Sequence, residues 1–184
     1  MNSSETVLEE IESESEISPL PIIGRDKGAL LERLVRTIKP KRILEVGSLV
    51  GFSAILMARN LKKGKIKSIE LSKENFKETK LNVDRAGFSD MVQVVNGNAL
   101  KVIPKLKEKF DLVFLDAKKT DYVKYLKLLE KKNLNKNAII VADNVKKFAP
   151  EVELYLNHVR TSGKYASLYY DFDSDGVEVS IKIK

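Results

Sequence analysis

The chain of 184 residues contains no cysteine, no tryptophan and a single histidine. Disulfides, thiolate metal sites and cysteine nucleophiles are therefore excluded. No apolar run approaches the roughly 18 residues that a membrane-spanning helix needs, and the acidic N-terminus has no apolar segment of the kind found in secretory signals. With 43% hydrophobic residues, the chain is expected to form one domain with a substantial core, in the cytoplasm and away from membranes.

The charges are divided unevenly along the sequence. Residues 1–17 hold six glutamates and no lysine or arginine, whereas the whole chain has 33 basic and 26 acidic residues and a net charge of +7. A basic body can attract nucleic acid or an anionic cofactor. However, the lysines are scattered over predicted helix faces and are not interleaved with aromatic residues, as a base-stacking surface requires. A solvated surface is the simpler interpretation of these lysines.

From residue 42 onwards, the hydrophobic pattern alternates between strand and helix periodicity. Before this region we expect an acidic helix at 5–16 and a second helix at 26–38, and we treat residues 1–24 as an entry segment of the same domain as residues 25–184. The alternation predicts an α/β fold, a doubly wound and mostly parallel seven-stranded sheet with helices on both faces. A turn at 173–176 predicts an antiparallel hairpin at one edge. The predicted strands are 42–46, 65–70, 91–95, 111–115, 137–142, 165–171 and 176–183, and the later helices are 51–60, 73–86, 99–107, 120–131 and 150–161.

Two apolar runs end at residues that carry side-chain oxygens. Residues 110–115 lead into Asp116, and residues 138–142 lead into Asp143 and Asn144. In open α/β sheets the ligand crevice lies outside the carboxyl ends of the strands, and hard oxygen ligands suit Mg²⁺. The alternative interpretation is that these residues cap the next helix or form the turn before it.

The loop after the first strand has the pattern Glu45-x-Gly47-x-x-x-Gly51, and Glu70 ends the second strand. It is neither the Gly-x-Gly-x-x-Gly of dinucleotide sites nor a P-loop, because no Gly-Lys-Ser/Thr follows. The pattern favours a nucleoside ligand without a phosphate chain, with Gly47 allowing close approach to the backbone and Glu70 binding ribose hydroxyls. A purely structural strand–helix turn with a surface glutamate is the alternative.

Together these motifs resemble the cation-dependent O-methyltransferases that use S-adenosylmethionine, including the catechol and caffeoyl-CoA O-methyltransferases. The resemblance implies a Rossmann-like class I methyltransferase fold and covers nearly the whole chain. It is carried by residues 43–54, 68–70, 114–122 and 141–145, with further similar stretches at 7–11, 24–28, 158–160 and 175–178.

The resemblance also implies roles for individual residues. The metal ligands would be Asp116, Asp143 and Asn144, and Lys119 would be the catalytic base. The cofactor S-adenosylmethionine would contact Ile23, Glu45, Gly47, Ser53, Glu70, Asn98, Ala99 and Asp116. The hydroxylated acceptor would contact Lys119, Asn144 and Glu178.

A physical argument supports the base, since a bound divalent ion lowers the pKa of a hydroxyl and a neighbouring cation favours the neutral form of a lysine. The alternative for Lys119 is a solvated lysine in a lysine-rich stretch.

The chain departs from the family at its acceptor site. It has no tryptophan, and Lys118 and Pro19 fall near the positions of aromatic residues that wall the substrate in catechol methyltransferase. The segment after Asn144 is short, so we expect little wall over the acceptor. Three functions stay open: methylation of a small catechol-like molecule, methylation of a hydroxylated tRNA base, and cofactor binding without catalysis. We expect a homodimer and no membrane partner.

Overall fold

The computed structural model describes residues 3–173 and 175–184. Within these residues, seven α-helices and seven strands follow one another. The helices are α1 Ser3–Ile17, α2 Gly24–Ile38, α3 Phe52–Asn60, α4 Lys73–Arg85, α5 Ala99–Val102, α6 Tyr122–Glu130 and α7 Ala149–Thr161. The strands are β1 Arg42–Val46, β2 Lys65–Glu70, β3 Val92–Asn96, β4 Phe110–Leu115, β5 Leu134–Ala142, β6 Tyr165–Phe172 and β7 Asp175–Lys182.

The strands form one sheet in the order β3-β2-β1-β4-β5-β7-β6. The first five strands pair in parallel, and β7 is antiparallel to both β5 and β6. The chain order reverses between β1 and β4, which is where ligands bind in open α/β sheets. The predicted α/β fold with an antiparallel C-terminal edge is confirmed.

Helices cover both faces of the sheet because neighbouring residues of each buried strand point to opposite sides. On β1, Ile43 packs into the core that contains α1, α2 and α3, and Leu44 packs into the core that contains α6 and α7. This explains why the interior strands are apolar at consecutive positions. None of the described helices is long and apolar enough to cross a membrane.

Helix α1 is part of the first core. Val7, Leu8 and Ile11 are buried, and each such side chain contributes about 1.5–3 kcal/mol on burial. Its acidic face pairs with basic residues of the body: Glu5 with Arg25 and Arg59, Glu12 with Arg25, and Glu10 with Arg85. The acidic helix therefore neutralises part of the basic surface.

Two element boundaries differ from the sequence predictions by more than two residues. The helix expected at 99–107 ends at Val102 and continues as a 3₁₀ turn, Ile103–Lys105, because Pro104 lacks the N–H that an α-helical bond requires. Strand β5 begins at Leu134 rather than 137. Phe172 and Asp175 pair across the predicted hairpin, although Ser174 of the expected 173–176 turn lies outside the described residues.

Candidate active site

A cleft of about 910 Å³ opens at the carboxyl ends of β1, β2 and β4. Its lining comes from the entry to α2, the loop after β1, the end of β2, the start of α5 and the segment after β4. Most of the predicted cofactor residues line it: Ile23, Gly47, Ser53, Glu70, Asn98, Ala99 and Asp116. The parallel strands bring these positions together although they are spread over 94 positions of the sequence.

The loop after β1 is compact because of Gly47. This residue has φ +94°, and a Cβ atom on it would lie 2.4 Å from the backbone oxygen of Asp116. The amide of Asp116 in turn donates to the carbonyl of Val46, at 2.9 Å. The loop and the end of β4 are thus in direct backbone contact, and only glycine fits between them.

Glu70 organises the same loop from the neighbouring strand. One carboxylate oxygen accepts hydrogen bonds from the backbone amides of Ser48 and Leu49, at 3.1 and 3.0 Å, and the other accepts from the amide of Ser72, at 2.8 Å. Glu70 lines the cleft, and the oxygen that accepts only from Ser72 has a further lone pair for a ligand hydroxyl.

Glu45 lies beneath the cleft and does not line it. Its side chain is fully buried, and its two oxygens accept hydrogen bonds from the hydroxyls of Ser53 and Ser68. Glu45 meets the cleft lining through Ser53, and its contact with the cofactor stays a prediction. Burial raises the pKa of Glu45 to about 7, against the lowering effect of the two serine hydroxyls.

This buried carboxyl should make stability depend on pH. The folded protein retains the Glu45 proton up to about pH 7, whereas an ordinary glutamate releases it near 4.5, so folding loses stability as the pH rises through this interval. We expect Glu45→Gln to gain roughly 1–3 kcal/mol of unfolding free energy relative to the unmodified chain between pH 5 and pH 8, measured by urea unfolding. The exposed Glu153→Gln variant is the control and should show no such change; an equal response of both variants would contradict the assignment.

Asp116 and Lys119 form an ion pair inside the cleft. The ammonium of Lys119 lies 2.7 Å from Oδ1 of Asp116, and it faces the rings of Tyr122 and Phe148 at 5.4 and 5.8 Å from their centroids. Removal from water raises the pKa of Asp116 to about 6, while Lys119 opposes this rise and nearby Asp143 adds to it. The 3₁₀ turn Lys119–Asp121 directs the lysine back toward the end of β4.

Asp143 and Asn144 follow β5 as predicted, but they belong to a larger cluster. Both oxygens of Asp143 accept from the ammonium of Lys27, at 2.7 and 2.8 Å, and the same ammonium donates to Asp175 at 2.9 Å. The amide nitrogen of Asn144 also donates to Asp175. Lys27, Asn144 and Asp175 line the cleft, whereas Asp143 lies beneath Lys27 and is almost fully buried.

The pKa values of the two aspartates in this cluster shift in opposite directions. Burial raises the pKa of Asp143, although Lys27 opposes the shift. For Asp175, burial is outweighed by hydrogen bonds from Asn144 and Lys27, which lower its pKa to about 2. Lys27 and Asp175 were not identified as site residues from the sequence. Both residues lie in stretches of the family resemblance, Lys27 in 24–28 and Asp175 in 175–178, but neither was given a role.

The donor set fits a divalent cation in its chemistry. Asp116 and Asp143 are two carboxylates close enough to disfavour each other's charge, and the Asn144 nitrogen is engaged by Asp175, which leaves its amide oxygen for a metal. Hard oxygen donors of this kind suit Mg²⁺ with water or substrate completing the shell. Among residues 3–173 and 175–184, no group of three or more acidic, histidine or cysteine side chains forms a metal site by itself.

Glu178 lies apart from the residues that line the cleft, and its contact with the acceptor stays a prediction. Glu178 is fully buried on β7, and the guanidinium of Arg160 binds both of its oxygens, at 2.9 and 2.6 Å. It pairs with Ala142 in the sheet, and its side chain points to the α7 face rather than to the cleft. A strand alternates its sides, so proximity in sequence to Asp175 does not place Glu178 in the same site.

Two aromatic side chains line the cleft, where the sequence led us to expect little wall. Phe148, which precedes α7, and Phe172, which ends β6, both line the cleft. The ring of Phe148 lies between the ammonium groups of Lys119 and Lys147, at 5.8 and 5.7 Å. The short segment after Asn144 therefore carries an aromatic surface despite its length.

The chain resembles characterised proteins in both sequence and structure. Residues 2–158 match the family model described as O-methyltransferase. The chain is 36% identical to the catechol O-methyltransferase of Sus scrofa over 172 residues, covering 86% of this chain and 91% of that protein. It is 35% identical to catechol O-methyltransferase B of Danio rerio over 172 residues, covering 86% of this chain but 64% of that protein.

A solved structure gives the same result. The O-methyltransferase TomG from Streptomyces achromogenes, involved in tomaymycin synthesis and solved in complex with SAM, superimposes with a TM-score of 0.85 at 25% identity. The match covers 97% of this chain and 90% of that chain. The resemblance stated from the sequence is confirmed, and the chain belongs to the O-methyltransferase family.

Proposed function

We propose that this protein transfers the methyl group of S-adenosylmethionine to a hydroxyl of a small catechol-like aromatic acceptor, with the help of Mg²⁺ or a similar cation. The observation that carries the proposal is the Lys119–Asp116 pair at the end of β4, in the same cleft as Asn144 and the glycine loop. Similarity to catechol O-methyltransferases supports the acceptor class.

The cofactor end of the cleft is suited to a nucleoside. Glu70, fixed by three backbone amides, would accept hydrogen bonds from ribose hydroxyls. Asn98 and Ala99, at the start of α5, would border the adenine. Ser53 and the backbone of Ile23 would hold the methionine part. S-adenosylmethionine supplies a methyl group made electrophilic by its sulfonium sulfur.

At the acceptor end, Lys119 would release one proton to solvent and then, as a neutral amine, take the proton from the attacking hydroxyl. Its ammonium is held by Asp116 at 2.7 Å, which fixes the nitrogen at the end of β4, and general bases contribute about 10²–10⁴-fold to rates. Asp116, Asp143 and Asn144 would hold a cation whose chemistry is to lower the pKa of a bound hydroxyl. Phe148 and Phe172 would orient a flat ring and exclude water from it.

Removal of the metal tests this proposal. We expect methyl transfer to catechol to fall to background in EDTA and to return with excess Mg²⁺, because the acceptor then ionises less readily. The assay should compare catechols and caffeoyl esters as acceptors. Full activity in EDTA would exclude metal dependence. Failure to bind S-adenosylmethionine at millimolar concentration would exclude the proposed methyltransferase activity.

A hydroxylated tRNA base is a second candidate acceptor, favoured by the exposed Lys118 and Lys147 at the cleft. The glutamates of α1 oppose it, since they neutralise Arg25, Arg59 and Arg85. Phosphate contacts make binding fall steeply with salt. Binding of bulk tRNA that is unaffected by salt would exclude this candidate.

A further inference from the structure

Lys27 is bound in an unusual way for a lysine on the wall of a ligand cleft. An ammonium group has three N–H donors, and here all three have carboxylate partners: Oδ1 and Oδ2 of Asp143 and Oδ2 of Asp175. No donor is left for a cofactor or an acceptor. Lys27 in this arrangement is therefore a bound cation rather than a substrate-binding group.

The position of the Lys27 ammonium matters because Asp143 is one of the residues proposed to hold the metal. Asp143 is almost completely buried, and an unpaired buried carboxylate is strongly destabilising. Lys27 supplies the compensating charge. A divalent cation on the same carboxylate would face the ammonium at short range, where like charges repel strongly because little water screens them.

The lysine can also leave the site. Lys27 lies in the first turn of α2, which begins at Gly24 on the cleft wall, and its side chain retains 14% exposure. Four flexible methylene groups allow the ammonium to swing into solvent. Asp175, in contrast, keeps hydrogen bonds from Asn144, from the amide of Lys147 and from its own chain at Gly176, so it stays in place without Lys27.

We propose that Lys27 is an internal competitor for the divalent cation, occupying Asp143 when no metal is bound and leaving it when the metal binds. This inference rests on the metal site of the proposed function and adds to it a determinant of metal affinity. Lys27 then stabilises the buried Asp143 carboxylate in the metal-free protein. It also weakens metal binding, because the metal has to break this ion pair.

The test is calorimetric titration of Mn²⁺ alone into the unmodified chain and three variants. We expect Lys27→Met to bind Mn²⁺ at least about tenfold more tightly, since no cation has to be displaced. Lys27→Arg, which keeps the charge, should bind no more tightly than the unmodified chain. Lys67→Met is the matched control, because Lys67 has a similar exposure of 16% and pairs with Glu108, and its Kd should not change.

Thermal unfolding gives a second readout. Without metal, Lys27→Met should melt below Lys67→Met, and Mn²⁺ should raise its melting temperature more than that of the unmodified chain. If the variant does not fold without metal, a crystal structure of the unmodified chain with Mn²⁺ decides. The Lys27 ammonium should then lie beyond hydrogen-bond distance from both oxygens of Asp143.

Unchanged or weaker Mn²⁺ binding by Lys27→Met would overturn the inference, as would an ammonium still at 2.7–2.8 Å from Asp143 in the metal-bound crystal. Either result leaves the proposed function intact if methyl transfer requires metal. If the unmodified chain binds no Mn²⁺ and methyl transfer continues in EDTA, both the metal dependence and the role of Lys27 are wrong.

Discussion

Replacing Lys119 with alanine is expected to lower kcat by about two to four orders of magnitude at neutral pH, the usual contribution of a general base. The affinity for S-adenosylmethionine should change little, because the proposed function places Lys119 beside the acceptor and not beside the cofactor. The rate of the variant should increase with pH as the acceptor ionises by itself. Steady-state kinetics from pH 6 to 10 and calorimetric titration of the cofactor would measure the two effects.

Lys124→Ala is the matched control for this experiment. Lys124 also pairs with an aspartate three residues away, Asp121, but its side chain is 60% exposed. Its removal should leave kcat within about twofold, as expected for a surface ion pair. A Lys119→Ala variant with the full rate at neutral pH would remove Lys119 from its proposed role.

Substitution of Gly47 by alanine should have the largest effect on folding. The new Cβ would meet the backbone oxygen of Asp116 at 2.4 Å and its carbonyl carbon at 2.9 Å, with φ at +94°. Left-handed backbone costs about 1–2 kcal/mol for alanine, and the overlap with a strand backbone adds about 1–3 kcal/mol. We expect the unfolding free energy to fall by about 2–5 kcal/mol and the cofactor to bind more weakly.

Gly163→Ala separates these two contributions. Gly163 has φ +67°, but a Cβ there would have no atom within 4 Å, so this variant measures the backbone cost alone, about 1–2 kcal/mol. Urea unfolding of both variants gives the difference. If both variants lose the same unfolding free energy, the close contact between the loop after β1 and the end of β4 does not contribute to stability.

The fold could be predicted to a large extent because its signals are local. Strands β4 and β5 are apolar runs of the length expected for buried strands, and each is followed by an oxygen-bearing residue at the carboxyl end. These signals located Asp116, Asp143 and Asn144 at one edge of the sheet. The boundary of α5 was the main local error, and Pro104 accounts for it.

The missing parts of the site depend on distant contacts. Lys27 meets Asp143 across 116 positions and Asp175 across 148, and apart from the family resemblance of residues 24–28 nothing in the local sequence separates it from a surface lysine. The pairing of Glu178 with Arg160 of α7 was missed for a related reason, since the side to which a strand residue points depends on register. Sequence motifs identified the strand ends, but not the tertiary contacts between them.

The position of β7 has a consequence for synthesis on the ribosome. β6 precedes β7 in the chain, yet it joins the sheet through β7, which lies between β5 and β6. Until β7 has left the exit tunnel, β5 exposes an open edge and Asp175 is missing from its place beside Lys27. The cluster of Lys27, Asp143 and Asp175 therefore forms only after β7 has been synthesised and has paired with β5.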